Sequence, residues 1–452
     1  MNQTDIKKQS LFALTWPIFI EILLHMLMGN ADTLMLSQYS DSSVAAVGVS
    51  NQVISVIIVM FGFVAAGAGV LVAQNLGAGK QDTAGAIAVT SLSLNLWFSL
   101  LLSIALFLFS KQILKIMDLP ADLMGEAGVY LNIVGGLIFV QALIMTVSAV
   151  LRSYGFTKDT MYVTIGMNVL NIIGNYAVIF GPFGFPVLGV EGVAYSTIIS
   201  RFLGFTVLLL LLLRRSEKTL PFTSFFAYKK QHIRDLLNIG IPSAGEQLSY
   251  NASQMVITYF IAQLGTMALT TKVYVQNIMM FIFLFALAIG QGTQILIGHL
   301  IGAGEVDTAY KHGIKSLQIS IVISTFAAVV IYFASDFLLG IFTDNATIME
   351  KGAALLLVTI ILEPGRAFNL VVISSLRAAG DVRFPVFIGI LSMWGVSVTS
   401  AWFFGLYLGL GLIGVWIAFI ADEWLRGLLM LRRWRSKIWI KETFIKTYPA
   451  DQ

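Results

Sequence analysis

The sequence predicts an all-α polytopic membrane protein of about twelve transmembrane helices, arranged as two six-helix lobes related by a parallel pseudo-two-fold repeat. Three observations predict it. Of the 452 residues, 57% are hydrophobic and only 12% are charged; mean hydropathy is +0.85. A soluble globule carries roughly twice that charged fraction. The apolar residues come in long blocks, each near the ~20 needed to cross a bilayer as a helix. Finally, VLVAQNLGAGKQDTA (70–84) recurs as ILIGHLIGAGEVDTA (295–309), and self-similarity at a long fixed period marks a duplicated architecture.

Polar or Gly/Pro-rich breaks separate the spans in order. The first, 10–37, ends at QYSDSS; the second, 44–75, at GAGKQD; the third, 84–109, runs toward DLPAD. The fourth, 123–150, ends at SYGFTKD and the fifth, 160–181, at GPFGFPVLG. The sixth, 189–213, reaches the basic segment RRSEKTLPFTSFFAYKKQHIRD. The second half repeats the scheme as 236–262, 271–299, 308–335, 347–376, 385–408 and 412–432. The expected organisation is therefore an N-lobe over 1–213, a linker over 214–235 and a C-lobe over 236–452.

Basic residues set the orientation. Lys7, Lys8, Lys80, Arg152, Lys158, Arg214, Arg215, Lys229, Lys230 and Arg234 lie on one side, with Arg377, Arg383, Arg432, Arg433 and Arg435. The other side has Lys111, Lys115 and Lys351, accompanied by acids. Both termini are expected to be cytoplasmic in a cell (inner or plasma) membrane. The polar, basic start runs straight into a full-length span, which reads as a retained helix and not as a cleaved leader.

The repeat holds one register over a long stretch. The 225-residue shift that aligns the two motifs also carries Pro17 onto Pro242, Glu21 onto Glu246 and Arg152 onto Arg377. Near the end LGVEGVA (188–194) matches LGLIGVW (410–416). Six spans per half is an even number, so both halves enter the membrane in one sense, as in some secondary transporters.

The polar residues inside the spans are the candidates for chemistry. Glu21, His25, Met28 and Asp32 share one face of the first helix. A charged side chain near the bilayer centre costs about 2.5–3.5 kcal/mol, so such groups face a bundle interior or a wet cavity. An acid that is neutral in one state and charged in another is what a proton-coupled pump needs. In the second half Tyr250 and Ile257 replace His25 and Asp32, whereas Glu246 keeps the place of Glu21. Asp32 is thus peculiar to the first half, and the repeated glutamates read as structural or gating groups. His25 reads first as a hydrogen-bonded interior histidine. In span ten, Glu363 and Arg366 are three apart and within reach of an internal ion pair; Arg201 and Glu423 are intramembrane and equivalent under a 222-residue shift. Asn168, Asn171 and Asn175 line one face of span five, either as helix–helix glue or as partners of the acid. Met26, Met28 and Met35 offer adaptable apolar contacts, and Met28, Met35, Gln52 and Gln276 are candidates for a substrate cleft.

Other chemistries lack their residues. With no cysteine there is neither a disulfide nor a thiolate metal site. GAGK (77–80) lacks the remaining residues of a phosphate loop, and the four histidines form no H-E-x-x-H spacing. The reading is therefore not an enzyme, with no cofactor and no nucleic-acid partner.

The chain resembles the prokaryotic multidrug and toxic compound extrusion (MATE) transporters. The likeness rests on P17-x3-E21…ADT (31–33), QNLGAGKQDTA (74–84), LRSYGFTKD (151–159), NIIGNYAVIFG (171–181) and LGVEGVAYST (188–197). In the second half it rests on GHLIGAGEVDTA (298–309) and EPGRAFNLVVISSLRAAGD (363–381). The resemblance implies an antiporter exporting amphipathic, mostly cationic organic compounds in exchange for H⁺ or Na⁺; the chain is expected to be a monomer. It places ion coupling on Asp32, Asn171, Asn175 and Thr197, with no metal beyond a transient Na⁺ at Asp32. Some members carry a second acid where Asn175 stands, and others a Glu and an Asp where Tyr250 and Arg366 stand, so the likeness favours coupling in the first lobe. On the same scaffold, a flippase for lipid-linked precursors is the alternative; it would need several basic residues in the cleft, for which Arg201, Lys272 and Arg366 are the candidates.

Overall fold

The computed structural model describes residues 6, 9–216, 220, 221, 225 and 229–444. Lys7, Lys8, most of the expected linker and the C-terminal end of the C-lobe lie outside the described residues. Among those described there is no β-strand.

The first half comprises α1 (Leu11–Ser37), α2 (Asp41–Gly77), α3 (Gln81–Ile116), α4 (Met124–Tyr130), α5 (Phe139–Ser153), α6 (Thr157–Phe180) and α7 (Gly189–Arg215). The second comprises α8 (Lys230–Gln263), α9 (Thr266–Gly302), α10 (Val306–Phe333), α11 (Ser335–Gly340), α12 (Ala346–Ala379), α13 (Arg383–Ser392) and α14 (Gly411–Arg435). Every expected span falls on helix. Among the described residues nine helical stretches are long and apolar enough to cross a membrane. A tenth arises if Met124–Gly135 and Phe139–Ser153, bent by 42°, count as one span. The two expected spans outside that set are α8 and α14, whose stripes of polar and charged residues dilute their hydropathy.

Local chemistry sets the ends. Ser40 caps α2 through the Ser43 amide, and Asn345 caps α12 through the amides of Thr347 and Ile348. Gly181 ends α6 in the left-handed region at φ 60°, which a residue without Cβ adopts cheaply. Following α13, wide π-helical turns occupy Met393–Val398 and Ala401–Tyr407.

The chain divides into two compact units, 1–6 with 20–240 and 7–19 with 241–452. Both α1 and α8 are therefore split between units, close to Pro17 and Pro242. A proline inside a helix removes one backbone hydrogen bond and crowds the preceding turn.

In the first unit, Leu36, Val47, Ile54, Phe61, Tyr130 and Val134 are among the buried residues of one apolar cluster. The opening turns of α8 join this unit: a Cβ on Gly67 would lie 3.2 Å from the Leu236 carbonyl oxygen. In the second unit, one cluster gathers Leu14 with Leu296, Leu300, Phe368 and Trp434, and another gathers Ile257, Ile261, Leu355 and Trp416. Here the opening turns of α1 join in, and a Cβ on Gly292 would lie 2.6 Å from Thr15 Oγ1. Gly67 and Gly292 are equivalent in the repeat, so each half has a glycine where the other half's first helix comes close.

Candidate functional site

In the first unit the acid of α1 meets the amide ladder of α6. Asp32 is 5% exposed, while Asn171 and Asn175 are fully buried. Asn175 Nδ2 donates to Asp32 Oδ1 at 2.5 Å and lies 3.4 Å from Asn171 Oδ1. Asn171 Nδ2 donates to Thr197 Oγ1 at 3.3 Å, and that hydroxyl donates to the Val193 carbonyl at 2.9 Å. A spacing of four residues puts both asparagines on one helical face, so the ladder runs unbroken from Asp32 to Thr197. Asn168, one turn earlier, donates to the Thr164 carbonyl instead and takes no part. Two residues that sequence reasoning missed lie beside the cluster: the buried Tyr130, whose hydroxyl is within electrostatic reach of Asp32 and Thr197, and Asn51 next to it. Lone polar residues in α2 and α4, without a motif, gave no signal for them.

Close helix packing makes this geometry possible. A Cβ on Gly174 would lie 2.3 Å from Ser196 Oγ, which itself donates to the Asn171 carbonyl at 3.1 Å. Gly174→Ala is expected to push α6 from α7 and destabilise the protein by about 1–3 kcal/mol. The thermal unfolding midpoint of the detergent-solubilised variant should fall; an unchanged midpoint would contradict this packing.

Asp32 makes no ion pair among the described residues. No group of three or more His, Cys, Asp or Glu able to hold a metal ion occurs among them either. The arrangement offers one carboxylate, two amide groups and a hydroxyl. Amides serve a carboxyl in either protonation state, and their oxygens also suit a small hard cation. Asn175 Oδ1 is buried without a hydrogen-bond partner among the described residues.

The repeated glutamates are engaged otherwise. Glu21 accepts from Arg152 Nη1 and Thr160 Oγ1, both at 2.8 Å. In the second unit Glu246 pairs with Arg377 at 2.5 Å. The same two positions of the repeat thus form the same ion pair twice. At the place of Asp32 the second unit holds Ile257, fully buried in its apolar cluster.

Glu363 and Arg366 are an ion pair at 2.7 Å, and they belong to a larger array. Arg366 lies 3.7 Å from Glu423, which takes a hydrogen bond from Asn369 at 2.9 Å and pairs with Arg426 at 3.2 Å. Arg426 also pairs with Asp422 at 2.8 Å. Asp422 and Arg426 were missed, although their spacing of four in α14 is a helical pair pattern. Lys272 donates to Thr258 Oγ1. Of the cleft candidates, Met28 is buried, Met35 packs beside the first-unit cluster, and Gln52 and Gln276 are exposed.

The MatE family model matches residues 17–177 and 242–403, one copy on each half. The chain belongs to the MatE family. It is 56% identical over 436 residues to the uncharacterized transporter YisQ of Bacillus subtilis, covering 96% of each chain. It is 29% identical over 442 residues to a probable multidrug resistance protein NorM of Thermotoga maritima, covering 98% of this chain and 95% of that one. Among solved structures, MATE in the bent conformation matches with a TM-score of 0.88 at 20% identity, covering 97% of this chain and 98% of that one. The MatE match and the apolar helices make this a multi-pass membrane protein, as the sequence predicts.

Proposed function

We propose that the chain is a cation-driven antiporter, using H⁺ or Na⁺, that exports amphipathic, mostly cationic organic compounds by alternating access. The observation that carries the reading is Asp32: a buried carboxylate held by an amide and by no basic partner among the described residues. Uptake of the cation at Asp32 changes its charge and with it the hydrogen bonding to Asn175, Asn171 and Thr197. A lobe over 1–213 and a lobe over 236–452, joined by the linker 214–235, then exchange access to the two sides. Met28, Met35, Gln52 and Gln276 are the cargo contacts in this reading, and Glu21, Glu246, Glu363 and Arg366 hold or gate the lobes. The protein acts as a monomer in the cell membrane, with both termini cytoplasmic.

Family membership supports the scheme, as do the names of relatives such as the multidrug resistance protein of Thermotoga maritima. The test uses everted membrane vesicles and ethidium as the amphipathic cation. A pH gradient and a sodium gradient are imposed separately, and uptake is expected under at least one of them. Uptake indifferent to both gradients would overturn the proposal.

A further inference from the structure

Arg201 lies on α7, one turn after Thr197, and so on the same face as the hydroxyl that ends the Asp32 ladder. Its Nε and Nη1 are buried, with no hydrogen-bond partner among the described residues. Its charge is felt by Asp32, by Tyr130 and by His25. It makes no ion pair among the described residues, whereas its counterpart in the repeat, Glu423, is bound to Arg366, Arg426 and Asn369.

Buried polar groups without partners are costly, and buried charges are ordinarily paired. This cluster contains both halves of a missing interaction. The guanidinium has unused donors, and Asn175 Oδ1 is an unused acceptor beside a carboxylate that takes only an amide hydrogen bond. Arginine has a long side chain and a planar fork that matches a carboxylate at two points. A second arrangement, in which the fork closes on Asp32, would satisfy all of these groups at once.

We infer that Arg201 is the internal counter-cation of the site: it pairs with Asp32 when the coupling cation has left and withdraws when the cation is bound. This inference rests on the antiporter reading and adds a residue to it. The guanidinium competes with the transported cation for one carboxylate, so it weakens that cation's hold and helps to discharge it. Arg201 is a positioning residue, acting on the ion through Asp32. The other groups that reach the acid are Tyr130 on α4 and the two asparagines on α6, with Thr197 on α7 linked through Asn171. Arg201 is the arginine whose charge reaches Asp32, and it has no acid partner among the described residues, whereas Arg152 is paired with Glu21.

The experiment reads ethidium transport by the purified full-length protein in proteoliposomes, as a function of the concentration of whichever cation drives the wild type. Removing a fixed positive charge beside the binding carboxylate strengthens cation binding. Arg201→Gln should therefore lower the half-saturating cation concentration about tenfold, a shift of about one pH unit if the cation is H⁺. Arg201→Lys, which keeps the charge but not the two-point fork, should shift by less than the neutral variants. Arg201→Met fills the space without charge or donors and gives the same reading if the glutamine variant fails to fold.

Cation dependence in Arg201→Gln or Arg201→Met equal to wild type would overturn the inference. So would a lysine variant shifted as far as the neutral ones, because the effect would then not be one of charge. Asp32→Asn, run alongside, separates the two layers. If it keeps gradient-driven transport, the antiporter reading fails and the inference with it. If it loses transport while the Arg201 variants match wild type, the inference alone fails.

Discussion

Asp32→Asn is expected to reduce gradient-driven ethidium uptake at least about a hundredfold while leaving the protein folded. The amide is isosteric with the carboxylic acid, and its oxygen still accepts from Asn175 Nδ2, the contact made at 2.5 Å in the wild type. What it lacks is a second charge state. A ligand moves a conformational equilibrium only through its differential affinity for the two states. Without a carboxylate, the driving cation has nothing to bind differently, and the gradient does no work. Residual transport should also lose its dependence on the driving cation. The checks are initial rates in vesicles at matched protein levels and the elution profile of the purified variant. A folded variant with wild-type driven uptake would remove Asp32 from the mechanism.

The second large effect concerns stability and not transport. Arg152→Gln should destabilise the protein by about 3–5 kcal/mol, because it strands Glu21 as a buried unpaired charge. The Glu21 side chain is 3% exposed and the Arg152 side chain 20%, so water screens the pair little. Thr160 alone would remain to hold the carboxylate. Converting the acid as well, in Glu21→Gln/Arg152→Gln, should restore most of the loss, since two neutral groups carry no comparable burial cost. The repeat supplies an internal comparison. Glu246 and Arg377 are 11% and 28% exposed, so Arg377→Gln should cost less than Arg152→Gln. Thermal unfolding of the detergent-solubilised variants measures both, and an Arg152→Gln midpoint equal to wild type would show that the pair is not structural.

Much of the fold could be read in the sequence because hydropathy is a strong local signal. Every expected span is helical, and the 225-residue register places Arg152–Glu21 and Arg377–Glu246 identically. The asparagine face of span five could be read as a candidate partner of Asp32, but which asparagine meets it could not, since 143 residues separate Asp32 from Asn175 and no periodicity links α1 to α6. The Glu363–Arg366 pair was within reach of a spacing argument. Its extension through Glu423 and Arg426 was not, because it depends on α12 facing α14. The 42° bend between Gly135 and Phe139 has no proline to announce it. Nor does anything in composition show that α1 and α8 each serve two units, because a helix that changes partners part-way looks like any other apolar run.

That sharing bears on how the gene could be cut. A break between residues 216 and 229 separates the two repeats cleanly in sequence, yet residues 7–19 would leave with the wrong fragment, and 230–240 with the other. The upstream piece would lack the turns of α8 that bury Gly67, and the downstream piece would lack Leu14, part of its own interior. The duplicated halves are therefore complementary fragments, to be produced together, and not a pair of self-sufficient modules.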